Sequence, residues 1–180
     1  EAETKELIGR IENESIRMGH LVEDLLLLAR LDQSREMKQE PVNISSVVTE
    51  SVESARAAGP DHPITVDAGE EIYVVGDINR IHQVIANLLA NARIHTPAGT
   101  KINVEVAEEE SAVSVTVSDN GPGLSPQAQS DLFELLSAGR DKGMGLGLWL
   151  CRHIVMRHGG RIWHQDRLGG GAEFILFLPR

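Results

Sequence analysis

The stretch that decides the fold is residues 101–123, KINVEVAEEESAVSVTVSDNGPG. Polar and apolar residues alternate from Lys101 to Ala107 and again from Ala112 to Ser118, on either side of an acidic run. Such alternation is typical of strands with one buried and one exposed face, and the short polar break predicts an antiparallel hairpin. The glycine- and proline-rich turn from Asp119 to Gly123 ends the second strand.

Further strands and helices are predicted on both sides of this hairpin. The strands are Pro41 to Ile44, Ile64 to Val66, Ile72 to Val75, Arg161 to Asp166 and Ala172 to Leu178, and the helices are Ser45 to about Ala58, Asp77 to Ile94, Ser125 to about Leu136 and about Gly145 to Arg157. We expect Ser45 to cap the first helix and Gly159-Gly160 to close the last. This order predicts an α+β fold, a two-layer α/β sandwich with a mixed, mainly antiparallel sheet.

One long amphipathic helix is predicted to precede this domain. Its apolar residues step by three and four, with Glu14 interrupting the row, and comprise Leu7, Ile11, Met18, Leu21, Leu25 and Leu28. Its length favours a dimer bundle over a core helix of the main domain. A polar stretch from Asp32 to Glu40 then breaks the pattern as a linker would. We therefore expect a partial helical domain at 1–34, a linker at 35–40 and the main domain at 41–180.

Composition narrows the class of function. The chain has 180 residues, 41% of them hydrophobic, and 27 acidic against 17 basic residues give a formal charge of -10. This field opposes general affinity for nucleic acid, so any bound phosphate must be held locally. The lone Cys151 excludes an internal disulfide framework and is expected to be a buried helix residue. No apolar run is long enough to span a bilayer, and we expect an excised soluble piece of a larger protein.

Polar residues recur every fourth position on the helix from Asp77 to Ile94. They are Gln83, Asn87, Asn91 and His95. Asparagine is a mediocre helix former, so two of them beside an apolar face indicate a selected role. An amide oxygen is a suitable ligand for Mg2+, which also keeps waters and binds phosphate oxygens. A solvated helix face is the alternative that this stripe alone leaves open.

Two glycine-rich segments complete the candidate chemistry. Asp119 can accept hydrogen bonds from an amine such as that of adenine, while Gly121 and Gly123 permit positive φ and close approach of a flat ligand. Ordinary turn chemistry explains this loop equally well. The segment Gly143-Met144-Gly145-Leu146-Gly147-Leu148 begins a helix, where free amides and the helix dipole favour a phosphate. It lacks the Gly-Lys-Ser/Thr of a Walker loop.

The order and spacing of these motifs resemble a known family. Residues 87–92, 119–123 and 143–148 look like the N, G1 and G2 boxes of sensor histidine kinases, and Phe133-Glu134 looks like their phenylalanine box. The resemblance spans about Pro41 to Pro179. Residues 17–26 similarly resemble the second helix of the dimerisation and histidine-phosphotransfer domain.

This resemblance implies a role for each matching residue. Asn91 would ligate Mg2+, Asn87 would lie beside the phosphates of ATP, and Asp119 would bind the adenine amine. The other residues implied in nucleotide binding are Arg93, His95, Gly121, Gly123, Arg140, Lys142, Gly143, Gly145, Leu146, Gly147 and Leu148. In the intact family the γ-phosphoryl group passes to a histidine and then to a response regulator, chiefly through positioning and charge neutralisation. A homodimer and a cytoplasmic position in a membrane-anchored sensor kinase are also implied.

Three departures from the family pattern bear on function. No histidine has the acceptor's setting, because His20 is followed by Leu21 and lies on what resembles the second helix. Ile94 stands where many relatives have lysine, which leaves Arg93 or His95 as the phosphate contact. The lid segment between Gly123 and Gly143 is short, and Arg140 and Lys142 are its only cations.

Two other functions remain open from sequence. Another ATPase of the superfamily, such as a gyrase, mismatch-repair or chaperone ATPase, usually carries a catalytic acid where Asn87 stands, which argues against that class. A degenerate nucleotide-binding or dimerisation module is favoured by Ile94 and the short lid. Saturable binding of Mg-ATP separates a kinase domain from such a module.

Overall fold

A computed structural model of the chain describes residues 37–130, 132–134 and 146–180, together with Met18. The chain divides into two compact units, Glu1–Glu36 with Asp131–Trp149 and Met37–Ser130 with Leu150–Arg180. The fold below is mainly that of the second unit, and residues 132–134 and 146–149 are the parts of the first unit described with it. The predicted helix before Asp32 lies outside the described residues except for Met18, so the predicted domain division stays a prediction.

Two sheets form among the described residues. The strands are β1 (Glu40–Asn43), β2 (Ile64–Asp67), β3 (Tyr73–Gly76), β4 (Ile102–Glu108), β5 (Ala112–Asp119), β6 (Arg161–Asp166) and β7 (Ala172–Pro179). Strands β1 and β3 pair antiparallel as a ribbon, and the other five follow the order β2-β4-β5-β7-β6. Within that sheet only β2 and β4 are parallel. The predicted α+β fold with a mixed, mainly antiparallel sheet is therefore confirmed.

The described helices are α1 (Ile44–Ala58), α2 (Ile78–Ile94), α3 (Pro126–Ser130) and α4 (Leu146–Arg157). The predicted cap of α1 is wrong by two residues. Asn43 is the cap, and its side chain accepts a hydrogen bond from the Ser46 amide. Ser45 is instead engaged across the fold, since its hydroxyl donates to the Ala68 carbonyl at 2.7 Å and accepts from the Ile72 amide.

The helix predicted from Ser125 to about Leu136 is shorter in the structure. α3 ends at Ser130, and residues 132–134 form a turn and a bend. The prediction for α4 is closer, because Gly159 has a φ of +72° and its amide donates to the Met156 carbonyl, which closes the helix as expected.

The core lies between one face of the five-stranded sheet and the helices. Val106, Val115 and Leu176 are paired across β4, β5 and β7, and all three are buried. The next row on the opposite face is polar at Glu105 and Thr116, as the alternation predicts. The apolar faces of α1 and α2 supply the other side of the core. The polar stripe of α2 lies beside this buried face and is only partly covered.

Buried His158 fixes the start of α2. Its Nε2 accepts the Asp77 amide at 3.1 Å, so Nδ1 carries the proton and donates to the Ile154 carbonyl at 2.8 Å. Gly76 makes room for the ring, because a Cβ there would lie 2.6 Å from the imidazole Cδ2. In the described part of the chain, no helix combines the length and apolar character needed to cross a membrane.

Candidate nucleotide-binding site

Asp119 ends β5 and is the central acidic side chain of the candidate site. The residue is 5% exposed, and its Oδ1 accepts hydrogen bonds from the Gly121 amide at 2.8 Å and the Ala172 amide at 3.4 Å. Among the described residues no hydrogen bond reaches Oδ2. The carboxylate is thus oriented through one oxygen, while the other is available to an amine from outside the protein.

The loop after Asp119 is attached to the start of β4. The Asn120 side chain accepts the Lys101 amide at 2.7 Å, and its own amide donates to the Lys101 carbonyl at 3.2 Å. Gly123 has a φ of +74°, so the expected positive φ is confirmed there. Gly121 does not use the same freedom, because its φ is not positive. A larger residue at position 121 would be crowded instead, because its Cβ would lie 2.8 Å from Thr96 Cγ2.

The turn between β6 and β7 supports the same loop. Gly169, Gly170 and Gly171 all have positive φ, from +93° to +103°. A Cβ on Gly171 would overlap the Asp119 carbonyl oxygen, and the Arg167 guanidinium donates to that oxygen at 3.5 Å. Sequence reasoning missed this turn. Its only local signal is the run of three glycines between two strands, which does not say what the turn contacts.

Asn87 and Asn91 of α2 are both half-buried and lie on one stripe of the helix. Burial raises the pKa of the Cys151 thiol to about 12, and a hydrogen bond with Asn87 opposes this only in part. Cys151 is therefore a protonated core residue, as expected. His95 caps α2, its amide donating to the Asn91 carbonyl at 3.0 Å.

Arg93 points to a different part of the fold. Its guanidinium donates to the Ala58 carbonyl at 2.9 Å and occupies the space that a side chain at position 59 would need. Residues two apart on a helix do not share a face, so Arg93 is off the Asn91 stripe. Of the two candidate phosphate contacts beside Ile94, His95 is the one placed four residues after Asn91.

The third predicted motif is described only in part. Leu146 is buried, and Gly147 and Leu148 are half-buried in the first turn of α4. Gly143, Gly145, Arg140 and Lys142 lie outside the described residues, so their roles stay predictions. Phe133-Glu134, likened above to the phenylalanine box, lies in the turn after α3.

His164 lies on β6, and its pKa is shifted from the ordinary value by its surroundings. Burial lowers its pKa, while the negative charges of Asp166 and Asp119 act more weakly in the opposite direction. Its Nε2 is 4.0 Å from Asp166 Oδ1, and its ring packs at a tilt against Phe174. Across the ranges that the structure describes, no three His, Cys, Asp or Glu side chains are grouped to hold a metal ion.

Comparison with known proteins identifies the family of the chain. Residues 76–180 match the family model described as histidine kinase-, DNA gyrase B-, and HSP90-like ATPase. Among curated proteins, the chain is 41% identical over 179 residues to the probable sensor histidine kinase TcrY of Mycobacterium tuberculosis. It is 32% identical over 187 residues to the sensor histidine kinase TrcS of the same species. These alignments take in 96% and 98% of the chain but only 38% and 36% of the relatives.

Solved structures show the same fold. The nucleotide-free catalytic domain of the histidine kinase ThkA matches with a TM-score of 0.70 at 29% identity, covering 81% of this chain and 97% of that one. ThkA in complex with the response regulator protein TrrA matches with a TM-score of 0.76 at 26% identity, covering 98% of this chain and 51% of that one. The chain thus spans well under half the length of TcrY and TrcS and about half of that longer structure.

Proposed function

Because the chain belongs to the histidine kinase-, DNA gyrase B- and HSP90-like ATPase family, we propose that it is the ATP-binding catalytic part of a sensor histidine kinase. It binds Mg-ATP and presents the γ-phosphoryl group to a histidine, from which the group is relayed to a response regulator. The observation that carries the proposal is the buried Asp119 carboxylate, held through one oxygen by two backbone amides. Adenine offers an amine to the other oxygen.

The phosphates and the metal are assigned to α2. Asn91 is half-buried, and its amide oxygen is the kind of hard, neutral ligand that Mg2+ accepts beside waters and phosphate oxygens. Asn87 lies one turn earlier on the same stripe, and His95 lies one turn later. When bound, Mg2+ neutralises charge that develops on the transferred group. Arg93 is left out of the phosphate contacts because its guanidinium is held at the end of α1.

We expect Asn91→Ala to remove most of the gain in ATP affinity that Mg2+ provides, by about tenfold or more. The free nucleotide should bind both forms equally, because the lost group is a metal ligand. Calorimetric titration with ATP, with and without Mg2+, measures the difference. Asn79→Ala is the matched control, since Asn79 is exposed in the first turn of the same helix. If Asn91→Ala kept the full Mg2+ effect, Asn87 would become the candidate ligand.

Phosphoryl transfer should require a histidine from outside the printed 180 residues. Transfer depends on an acceptor nitrogen held in line with the γ-phosphate, and no histidine of this chain has the acceptor's sequence setting. Incubation with γ-labelled ATP should leave the chain unlabelled. Adding a dimerisation-domain fragment that carries an acceptor histidine should give acid-labile label on that fragment. Stoichiometric acid-labile label on the chain alone would contradict the assignment and direct attention to His20.

The partners and the cellular position follow from the same proposal. They are the kinase's own dimerisation domain, a response regulator and a second copy of the kinase, with the catalytic part on the cytoplasmic side of a membrane-anchored sensor. The similarity to the complex of ThkA with TrrA supports the response regulator as a partner.

A further inference from the structure

We propose that His62 and Thr96 set the selectivity of the site for adenine, by positioning the loop from Asp119 to Gly123. The inference rests on the proposed function, because it assumes that Asp119 binds the nucleotide base. His62 lies in the loop between α1 and β2, and Thr96 lies just beyond α2. Neither residue belongs to the motifs of the sequence analysis.

The Thr96 side chain is held in one orientation by two hydrogen bonds. Its Oγ1 is 2.6 Å from the Ala92 carbonyl oxygen and 3.2 Å from His62 Nε2. A hydroxyl has one proton, and the carbonyl can only accept it, so His62 donates its Nε2 proton to Thr96. With Oγ1 fixed on one side, the Cγ2 methyl is directed to the other side, which faces Gly121.

The methyl and the base-binding carboxylate flank the same glycine. A Cβ at Gly121 would lie 2.8 Å from Thr96 Cγ2 and 3.0 Å from Asp119 Oδ1. The Gly121 amide is also the shorter of the two bonds that orient that carboxylate, at 2.8 Å. A shift of the methyl therefore changes where Gly121 sits, and a shift of Gly121 turns the Asp119 carboxylate.

The loop that carries His62 is itself anchored to the segment after Thr96. The Gly99 amide donates to the Asp61 carbonyl at 2.7 Å, and the Ile102 amide donates to the Pro63 carbonyl at 2.9 Å. Backbone bonds on both sides of His62 thus fix the imidazole relative to the start of β4. The Lys101 amide in turn donates to the Asn120 side chain. Hydrogen bonds therefore connect the His62 loop, the start of β4 and the loop after Asp119.

Base selectivity is the readout that separates positioning from stability. Adenine presents an amine where guanine presents a carbonyl oxygen, so a correctly placed carboxylate favours ATP and repels GTP. A misplaced Asp119 weakens ATP binding without weakening GTP binding. A loss of stability alone would reduce the amount of folded protein, which lowers apparent binding of ATP and GTP by the same factor.

The test compares two pairs of matched variants by calorimetric titration with ATP and GTP. Thr96→Val keeps the methyl group but loses both hydrogen bonds, and His62→Leu loses the donor. Each should lower the preference for ATP over GTP by about three- to tenfold. Thr96→Ser and His62→Gln both keep the hydrogen bond, but Thr96→Ser also removes the methyl group that faces Gly121, so it should lower the preference as well. His62→Gln should retain the wild-type preference.

A double substitution tests the methyl contact directly. Gly121→Ala alone should weaken ATP binding, because its new methyl group strikes Thr96 Cγ2. Thr96→Ser in that background removes the obstructing atom and should restore part of the affinity, so the two effects should not add. Strict additivity would overturn the contact as the route of coupling.

The outcomes distinguish this inference from the proposed function. A wild-type chain without saturable ATP binding would defeat the proposed function. A wild-type chain that prefers ATP, with Thr96→Val and His62→Leu retaining the same preference, would defeat only the positioning role. Denaturant unfolding without nucleotide, run on all variants, establishes that the titrated proteins are folded.

Discussion

Gly171→Ala is expected to lower the free energy of unfolding by about 2–5 kcal/mol and to abolish measurable ATP binding. Two penalties combine at this position. The new Cβ would overlap the carbonyl oxygen of Asp119 and approach the Asn120 Cα to 3.0 Å, and the residue has a φ of +103°. Both obstructing atoms are backbone, so relief requires movement of the loop that orients the Asp119 carboxylate. Chemical denaturation and nucleotide titration together measure the two effects.

Gly169→Ala provides the matched control for this substitution. Gly169 lies in the same turn with a φ of +93°, but within the described residues a Cβ there would meet no atom within 4 Å. Only the backbone penalty applies, about 1–2 kcal/mol, and ATP affinity should be retained. Equal losses in the two variants would mean that the turn contributes conformational strain alone and does not position Asp119.

Asp119→Asn is expected to weaken ATP binding by about 10- to 100-fold while the domain stays folded. The amide has nearly the shape of the carboxylate, and its oxygen can still accept from the Gly121 and Ala172 amides. What is lost is the charge-assisted hydrogen bond to the adenine amine, worth about 1.5–3 kcal/mol. Isothermal titration with Mg-ATP measures the change.

Glu173→Gln is the control for removing one negative charge near this end of the sheet. Glu173 lies on β7 next to Ala172, and its carboxylate accepts a hydrogen bond from the Gln165 side chain on β6. Its substitution should leave ATP affinity within about twofold. An Asp119→Asn variant that is folded and binds ATP as tightly as this control would refute the role assigned to Asp119.

The local sequence pattern was sufficient to predict the β4–β5 hairpin and the polar stripe of α2. The alternation of residues 101–118 predicted β4 and β5 to within about one residue at each end, because the face that a strand residue occupies depends only on its parity. The spacing of Asn87 and Asn91 likewise placed them on one stripe of α2, because a helix repeats every 3.6 residues. The order of the motifs then indicated the family before any contact was known.

Competition between chemically similar residues was decided by the fold. Asn43 and Ser45 are both good helix caps, and only the long-range bonds of Ser45 to Ala68 and Ile72 determine which one caps α1. The same applies to Arg93. From sequence, a cation near Asn91 is a reasonable phosphate ligand, but in the fold its guanidinium donates to the Ala58 carbonyl. In each case the deciding partner is more than twenty residues away in the chain.

By itself, the amino-acid sequence determined which residues are candidates for the chemistry, because residue type and spacing specify donors, acceptors and helix faces locally. Only the tertiary structure decided how Asp119 is held. The Gly171 backbone, the Ala172 amide and the Thr96 methyl meet its loop from segments 23 to 53 residues away. Contacts between distant segments leave no local periodicity, so neither the glycine run at 169–171 nor the His62–Thr96 pair could be linked to Asp119 from sequence.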